Sequence, residues 1–141
     1  MAVAESTETF IGTSVKRKED DALLRGRGTF IEGLTLPGMV AMVVIRSPYA
    51  HARITRIDLD AARSAEGVVA AFSGADLAED WAGGMPCAWP VTEDIKMPPH
   101  YPLAVDETRY QGDGVAVVIA ETRALAQDAA ELVDVEYEQL P

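Results

Sequence analysis

Val115-Ala116-Val117-Val118-Ile119-Ala120, then Glu121-Thr122, then Arg123-Ala124-Leu125-Ala126-Gln127-Asp128-Ala129-Ala130, is the stretch that decides the fold class. An apolar, β-branched run of this length predicts a strand covered on both faces. Thr122 stands where a helix N-cap belongs, and Ala126, Ala129, Ala130 and Val133 recur behind it at helical spacing. Val133, Val135 and Tyr137 then alternate with Asp134, Glu136 and Glu138, the period of a half-exposed strand. A strand, a helix and a strand in series predict a crossover that returns to the same sheet. The expected fold class is α+β: a mixed β-sheet with short crossover helices on one side.

Outward from this core, the same reasoning places the other elements. Met39 to Ile45 is a near-continuous apolar run, expected to be a strand covered on both faces and stopped by Pro48, which has no N–H for a ladder. Ala52 to Asp60 predicts a half-exposed strand, with Ile57 and Leu59 opposite Arg56 and Asp58. Asp60 is placed to cap a short helix, Ala61-Ala62-Arg63-Ser64, that Gly67 ends. Val68 to Phe72 is a further buried strand, and Asp76-Leu77-Ala78 a helical turn. Thr29-Phe30-Ile31 predicts a short strand before the Leu36-Pro37-Gly38 turn. Residues 1–14 are small, polar and unpatterned, and are expected to be a flexible leader. Between 79 and 102 five prolines break every pattern, and so long a connection is expected to be functional or held by a partner. Trp81, Trp89 and Tyr101 predict that it packs its rings rather than remaining disordered.

Composition narrows the function. The 141 residues are 48% hydrophobic and 25% charged, the range of one ordinary globular domain. No run approaches the roughly 20 apolar residues that cross a bilayer, so no transmembrane segment is expected. Met1 to Phe10 lacks the basic-then-apolar order of a secretory signal. One cysteine, Cys87, excludes an internal disulfide framework and a cysteine-based zinc module, and a cytoplasmic chain is expected. Twelve basic against 23 acidic residues give a net charge of −11, which argues against nucleic acid as a partner. Val15–Arg63 carries a local +3, whereas Ser64–Pro141 carries −12. The acidic half is expected to be a solvated surface.

Catalytic signatures are not found. Gly26-Arg27-Gly28 lacks the third glycine and the preceding buried strand of a dinucleotide turn, and Gly112-Asp113-Gly114 precedes a strand instead of opening a helix. His51 and His100 have no cysteine neighbours and no metal-binding spacing. Cys87 has no visible base, and the pairs Asp20-Asp21 and Glu93-Asp94 are expected to be solvated loop charges. No residue is assigned as catalytic, cofactor-binding or metal-ligating.

Several blocks, taken in order, resemble one family. Val15-Lys16-Arg17-Lys18-Glu19-Asp20 with Leu24-Arg25-Gly26-Arg27-Gly28-Thr29-Phe30 is similar to the opening of the molybdenum-binding large subunit of molybdenum hydroxylases. This is the group of xanthine dehydrogenase, aldehyde oxidase and aerobic carbon monoxide dehydrogenase. Arg46-Ser47-Pro48-Tyr49-Ala50-His51-Ala52-Arg53-Ile54 resembles its R-S-P-x-A-H-A-x-I block. Gly67-Val68-Val69-Ala70 with Gly74-Ala75-Asp76-Leu77, Tyr101-Pro102-Leu103-Ala104, Arg109-Tyr110-Gln111-Gly112-Asp113 and Val135 to Pro141 follow in the family's order. The resemblance covers Val15 to Pro141, with Phe30 standing where tyrosine is common.

In that family this region is the N-terminal α/β hammerhead domain. The resemblance implies residues 15–141 as that domain, structural and assembly-forming, within a subunit whose pterin-binding and catalytic residues lie beyond the position of Pro141. The chain is expected to be a truncated piece or a separately made domain. The parent enzyme would oxidise a small substrate (carbon monoxide, an aldehyde or an N-heterocycle) with oxygen from water. The implied cofactor is molybdenum–molybdopterin, as a cytosine dinucleotide, held outside this segment. FAD on a medium subunit and 2Fe–2S clusters on a small subunit would be its partners, together with the large subunit's cofactor-binding domains. Cys87 does not match the active-site loop motif of carbon monoxide dehydrogenases. Arg46, Ser47, Pro48, Tyr49 and His51, with the 79–102 loop, are the expected interface. The alternative is a free-standing scaffold protein using this fold without molybdenum, and a small enzyme using Cys87 and a histidine is a third reading.

Overall fold

The computed structural model describes residues 11–86 and 91–141, so Cys87 and Trp89, with most of the expected leader, lie outside the described residues. The chain divides into two units, residues 1–37 and 38–141.

The first unit holds a five-residue helix, α1 (Asp20–Leu24), and a 3-10 turn at Ile31–Gly33. None of its described residues is buried. Arg17–Asp20 at 3.1 Å and Arg25–Asp21 at 2.8 Å staple α1, but exposed pairs of this kind stabilise by less than about 1 kcal/mol. The strand expected at Thr29-Phe30-Ile31 is absent, and the 3-10 turn stands there instead. β-branched and aromatic residues favour a strand only where a neighbouring strand and a core receive them. Phe30 and Ile31, 66% and 92% exposed, have neither.

The second unit carries two three-stranded sheets, ordered β1-β5-β3 and β4-β2-β6. Their strands are β1 (Ala41–Arg46), β2 (Ala52–Asp58), β3 (Val68–Ser73), β4 (Glu107–Thr108), β5 (Gly114–Ala120) and β6 (Asp134–Gln139). Every pairing is antiparallel. The α+β class therefore holds, while the single mixed sheet is corrected to two antiparallel ones. The crossover is corrected too: the helix after β5 delivers the chain to β6 in the other sheet. β5 is central and buried on both faces, as its composition predicts. β1 lies at a sheet edge, and its expected cover on both faces is corrected by its burial: none of its residues is buried, and Met42 is 62% exposed.

Three short helices join the strands: α2 (Asp60–Arg63), α3 (Gly74–Leu77) and α4 (Arg123–Ala130). Asp60 does not cap α2. It lies in the first turn, and its N–H donates to the Asp58 carboxylate at 3.0 Å. Ser73 caps α3 with a reciprocal capping box to Asp76, whose carboxyl is held below its usual range chiefly by the Ser73 N–H. Thr122 caps α4 through the Leu125 N–H, as its position predicts. The core is small-residue packing: Leu59, Ala62, Ala71, Ala116, Val118 and Ala129, ringed by Ile45, Ile57, Val68 and Val133. Alanine on both helix and strand lets α4 lie close on β5 and α2 on β3. Gly74 is obligatory for a similar reason, since a Cβ there would sit 2.1 Å from the Ala104 carbonyl oxygen.

Candidate interface

The Arg46–His51 block is the turn that carries the chain from the first sheet to the second. β1 slips register between Ile45 and Arg46, and the Arg46 Nη1 donates to the Gly112 carbonyl at 2.8 Å. Two backbone bonds follow: the Ser47 N–H donates to Asp113 O at 2.8 Å, and the Gly112 N–H donates to Ser47 O at 2.9 Å. Ser47 itself is 2% exposed. Its hydroxyl donates to the Tyr49 carbonyl at 3.0 Å, accepts the Tyr49 N–H at 3.1 Å, and lies 3.3 Å from Thr108 Oγ1. Thr108, fully buried, donates onward to the Ala52 carbonyl at 3.3 Å. The turn is thus fixed from inside, and Pro48, Tyr49 and Ala50 are held up on its surface. The Tyr49 ring meets Tyr137 of β6 edge-on, with centroids 5.3 Å apart. Burial pushes the Tyr137 phenol above its ordinary range.

His51 closes the turn. Its Nδ1 lies 2.7 Å from Pro141 O and its Nε2 2.9 Å from Glu107 Oε1, while the Leu140 N–H donates to His51 O at 3.0 Å. Both ring nitrogens face acceptors, and only the imidazolium donates from both. The Pro141 carbonyl, then Glu107, accordingly raise its pKa above the ordinary 6.5.

Of the five residues the sequence singles out, Arg46, Pro48, Tyr49 and His51 reach the surface, while Ser47 acts from inside by shaping the turn. Sequence reasoning missed Thr108, Glu107 and Asp113 as its supports. Asp113 is 4% exposed and accepts the Arg109 N–H at 3.1 Å. These contacts span some 60 residues of chain, which no local period reports; the one signal was the block at 109–113. In the long loop, Trp81 stacks on Tyr101 at 5.3 Å, as its aromatic content predicts, and the Met85 N–H donates to His100 O at 2.6 Å.

The arrangement offers a hydrogen-bonded turn with an exposed surface. Among the described residues no group of three or more His, Cys, Asp or Glu could hold a metal ion. His100 leans on Tyr110 at 5.6 Å, far in sequence from the His51 clasp. The cleft beside the turn, lined by Pro99, His100, Tyr101, Glu107, Arg109 and Asp113, measures about 140 Å³.

Two small antiparallel sheets, joined by the 46–51 turn and packed with short alanine-rich helices, define a small α+β domain. The sequence profile of the aldehyde oxidase and xanthine dehydrogenase a/b hammerhead domain matches residues 25–141, and the chain belongs to that family. The crystal structure of quinoline 2-oxidoreductase from Pseudomonas putida 86 superposes with a TM-score of 0.82 at 46% identity, covering 92% of this chain and 16% of that one. A Cu,Mo-CO dehydrogenase structure gives a TM-score of 0.76 at 36% identity, covering 92% of this chain and 16% of that one. The nicotine 6-hydroxylase large subunit of Paenarthrobacter nicotinovorans is 40% identical over 136 residues, covering 95% of this chain and 16% of that protein. The chain therefore spans about a sixth of the length of the relatives it matches. No helix among the described residues is long and apolar enough to cross a membrane.

Proposed function

We propose that this chain is the hammerhead part of the large subunit of a cytoplasmic molybdenum hydroxylase, with residues 1–14 as a leader and 15–141 as the domain. Its work is mechanical: it mounts the cofactor-binding domains of the same subunit against an FAD-binding medium subunit and an iron–sulfur small subunit. The parent enzyme oxidises a small molecule (carbon monoxide, an aldehyde or an N-heterocycle) using oxygen from water. Molybdenum bound to a molybdopterin cytosine dinucleotide supplies that chemistry, and it is held outside these residues. The observation that carries this reading is the match over 25–141 to relatives of which the chain spans about a sixth. The rigid turn at 46–51 supports it, because Pro48 and Tyr49 are presented on a frame that their own hydrogen bonds cannot relax.

The test is Arg46→Ala in the full enzyme. Arg46 sits at the surface edge of the turn, and arginine there suits a contact with another domain. Assembly or cofactor retention is expected to weaken by about 2 kcal/mol or more, the range of an interface hot spot. Unchanged subunit stoichiometry, molybdenum content and activity would contradict the reading.

A further inference from the structure

We propose that the free edge of β1 receives an extended segment of another domain or subunit, about six residues long, apolar in the middle and carboxylate-bearing at each end. This rests on the reading of the chain as one part of a larger assembly. The two sheets have four edges, and three are closed by the chain's own features. β4 is two residues long. β6 sets Asp134, Glu136 and Glu138 along its length, charges that discourage a further strand. β3 slips register between Val68 and Ala70, and the Arg63 Nε donates to the Ala71 carbonyl at 3.0 Å. A bulge and a side chain laid on the edge both blunt it. β1 keeps these devices out of its length, since its one register slip falls at its last step, between Ile45 and Arg46. It pairs with β5 alone, holds register from Ala41 to Ile45, and carries no charge or proline before Arg46. Alternate N–H and C=O groups on its outer side stand open as a template for another strand.

The side chains beside this edge define the guest. Met42 and Val40 are 62% and 47% exposed, within a run whose composition is that of a covered strand. A groove of about 510 Å³ between β1 and α4 is lined by Ala41, Met42, Val44, Arg46, Arg123 and Gln127. That lining has two cations and no carboxylate, in a chain of net charge −11. Among the described residues neither arginine forms an ion pair; Arg46 donates to a backbone carbonyl. Arg123 follows Ala120, the partner of Ala41, so it borders the start of β1 as Arg46 closes its end. Six residues at the rise of a strand span about 20 Å, which sets the guest's length and the spacing of its two acids.

Residue-resolved hydrogen exchange on the assembled enzyme tests this. The amides of 41–45 are expected to be protected on both sides of the strand. Arg123→Glu reverses one cation and places a carboxylate in the first turn of α4, where the helix dipole favours it, so the fold is kept. Exchange of the outward β1 amides should then rise about tenfold or more, with the β5 amides unchanged and Arg123→Lys behaving as wild type. Dissociation of the complex by Arg123→Glu but not by Arg123→Lys supports the proposal equally. Outward β1 amides that exchange as an open edge in the wild-type assembly would overturn it, as would protection untouched by Arg123→Glu. Failure of the underlying reading is a separate result, in which the chain does not co-purify with any cofactor-bearing partner.

Discussion

Ser47 and His51 show how much a turn depends on single side chains. Ser47 spends its hydroxyl on the backbone of Tyr49 and on Thr108. Ser47→Ala leaves the part-buried Tyr49 bonds and the buried Thr108 contact unmade and is expected to cost about 1–3 kcal/mol in chemical denaturation, with m unchanged. His51 makes a pH-dependent contribution of defined sign. Its folded pKa is raised above 6.5 by the Pro141 carbonyl and then by Glu107, with Arg109 opposing. Its stabilisation is therefore complete below about pH 6.5 and is lost as pH rises through the folded value. The Tm of the wild type should fall from about pH 6 to about pH 8.5 by more than that of His51→Gln. Parallel profiles for the two proteins would remove His51 from the account. At this scale the sequence was half legible: the Arg46–His51 block was evident as a unit, yet nothing local distinguished the inward Ser47 from the outward Tyr49.

Elements are where the sequence spoke most clearly, and where its silences have a physical cause. Thr122→Ala removes the oxygen that accepts the Leu125 N–H and is expected to cost about 1 kcal/mol. Gly74→Ala drives a Cβ into the Ala104 carbonyl and is expected to cost about 1–3 kcal/mol or more, read by the same denaturation. β5, α4 and β6 stand where their periods placed them, because apolar spacing reports which face of an element is covered. Period does not report which strand lies alongside. β5 and β6, expected in one sheet, fall in two, and the Thr29-Phe30-Ile31 strand fails for want of any partner. The apolar run of β1 is the instructive case: its composition asks for cover on both faces, and among the described residues no strand pairs with its outer edge.

At the scale of the whole molecule, charge is unevenly placed. Residues 64–141 carry −12, and β6 presents Asp134, Glu136 and Glu138 against Arg53 and Arg56 of β2 across the second sheet. Such charges keep the surface hydrated, and the proposed contacts at the 46–51 turn and the β1 edge lie outside them. The family was legible in the sequence because its blocks keep their order across the chain. The supports of the turn were not, since Thr108 and Asp113 meet it only after folding. Metal analysis and turnover assays on the purified 141-residue chain test the mounting role most directly. The account predicts a folded protein with no molybdenum, no iron and no turnover of carbon monoxide, aldehydes or N-heterocycles. Stoichiometric molybdenum, or oxidation of any of these by the chain alone, would contradict it.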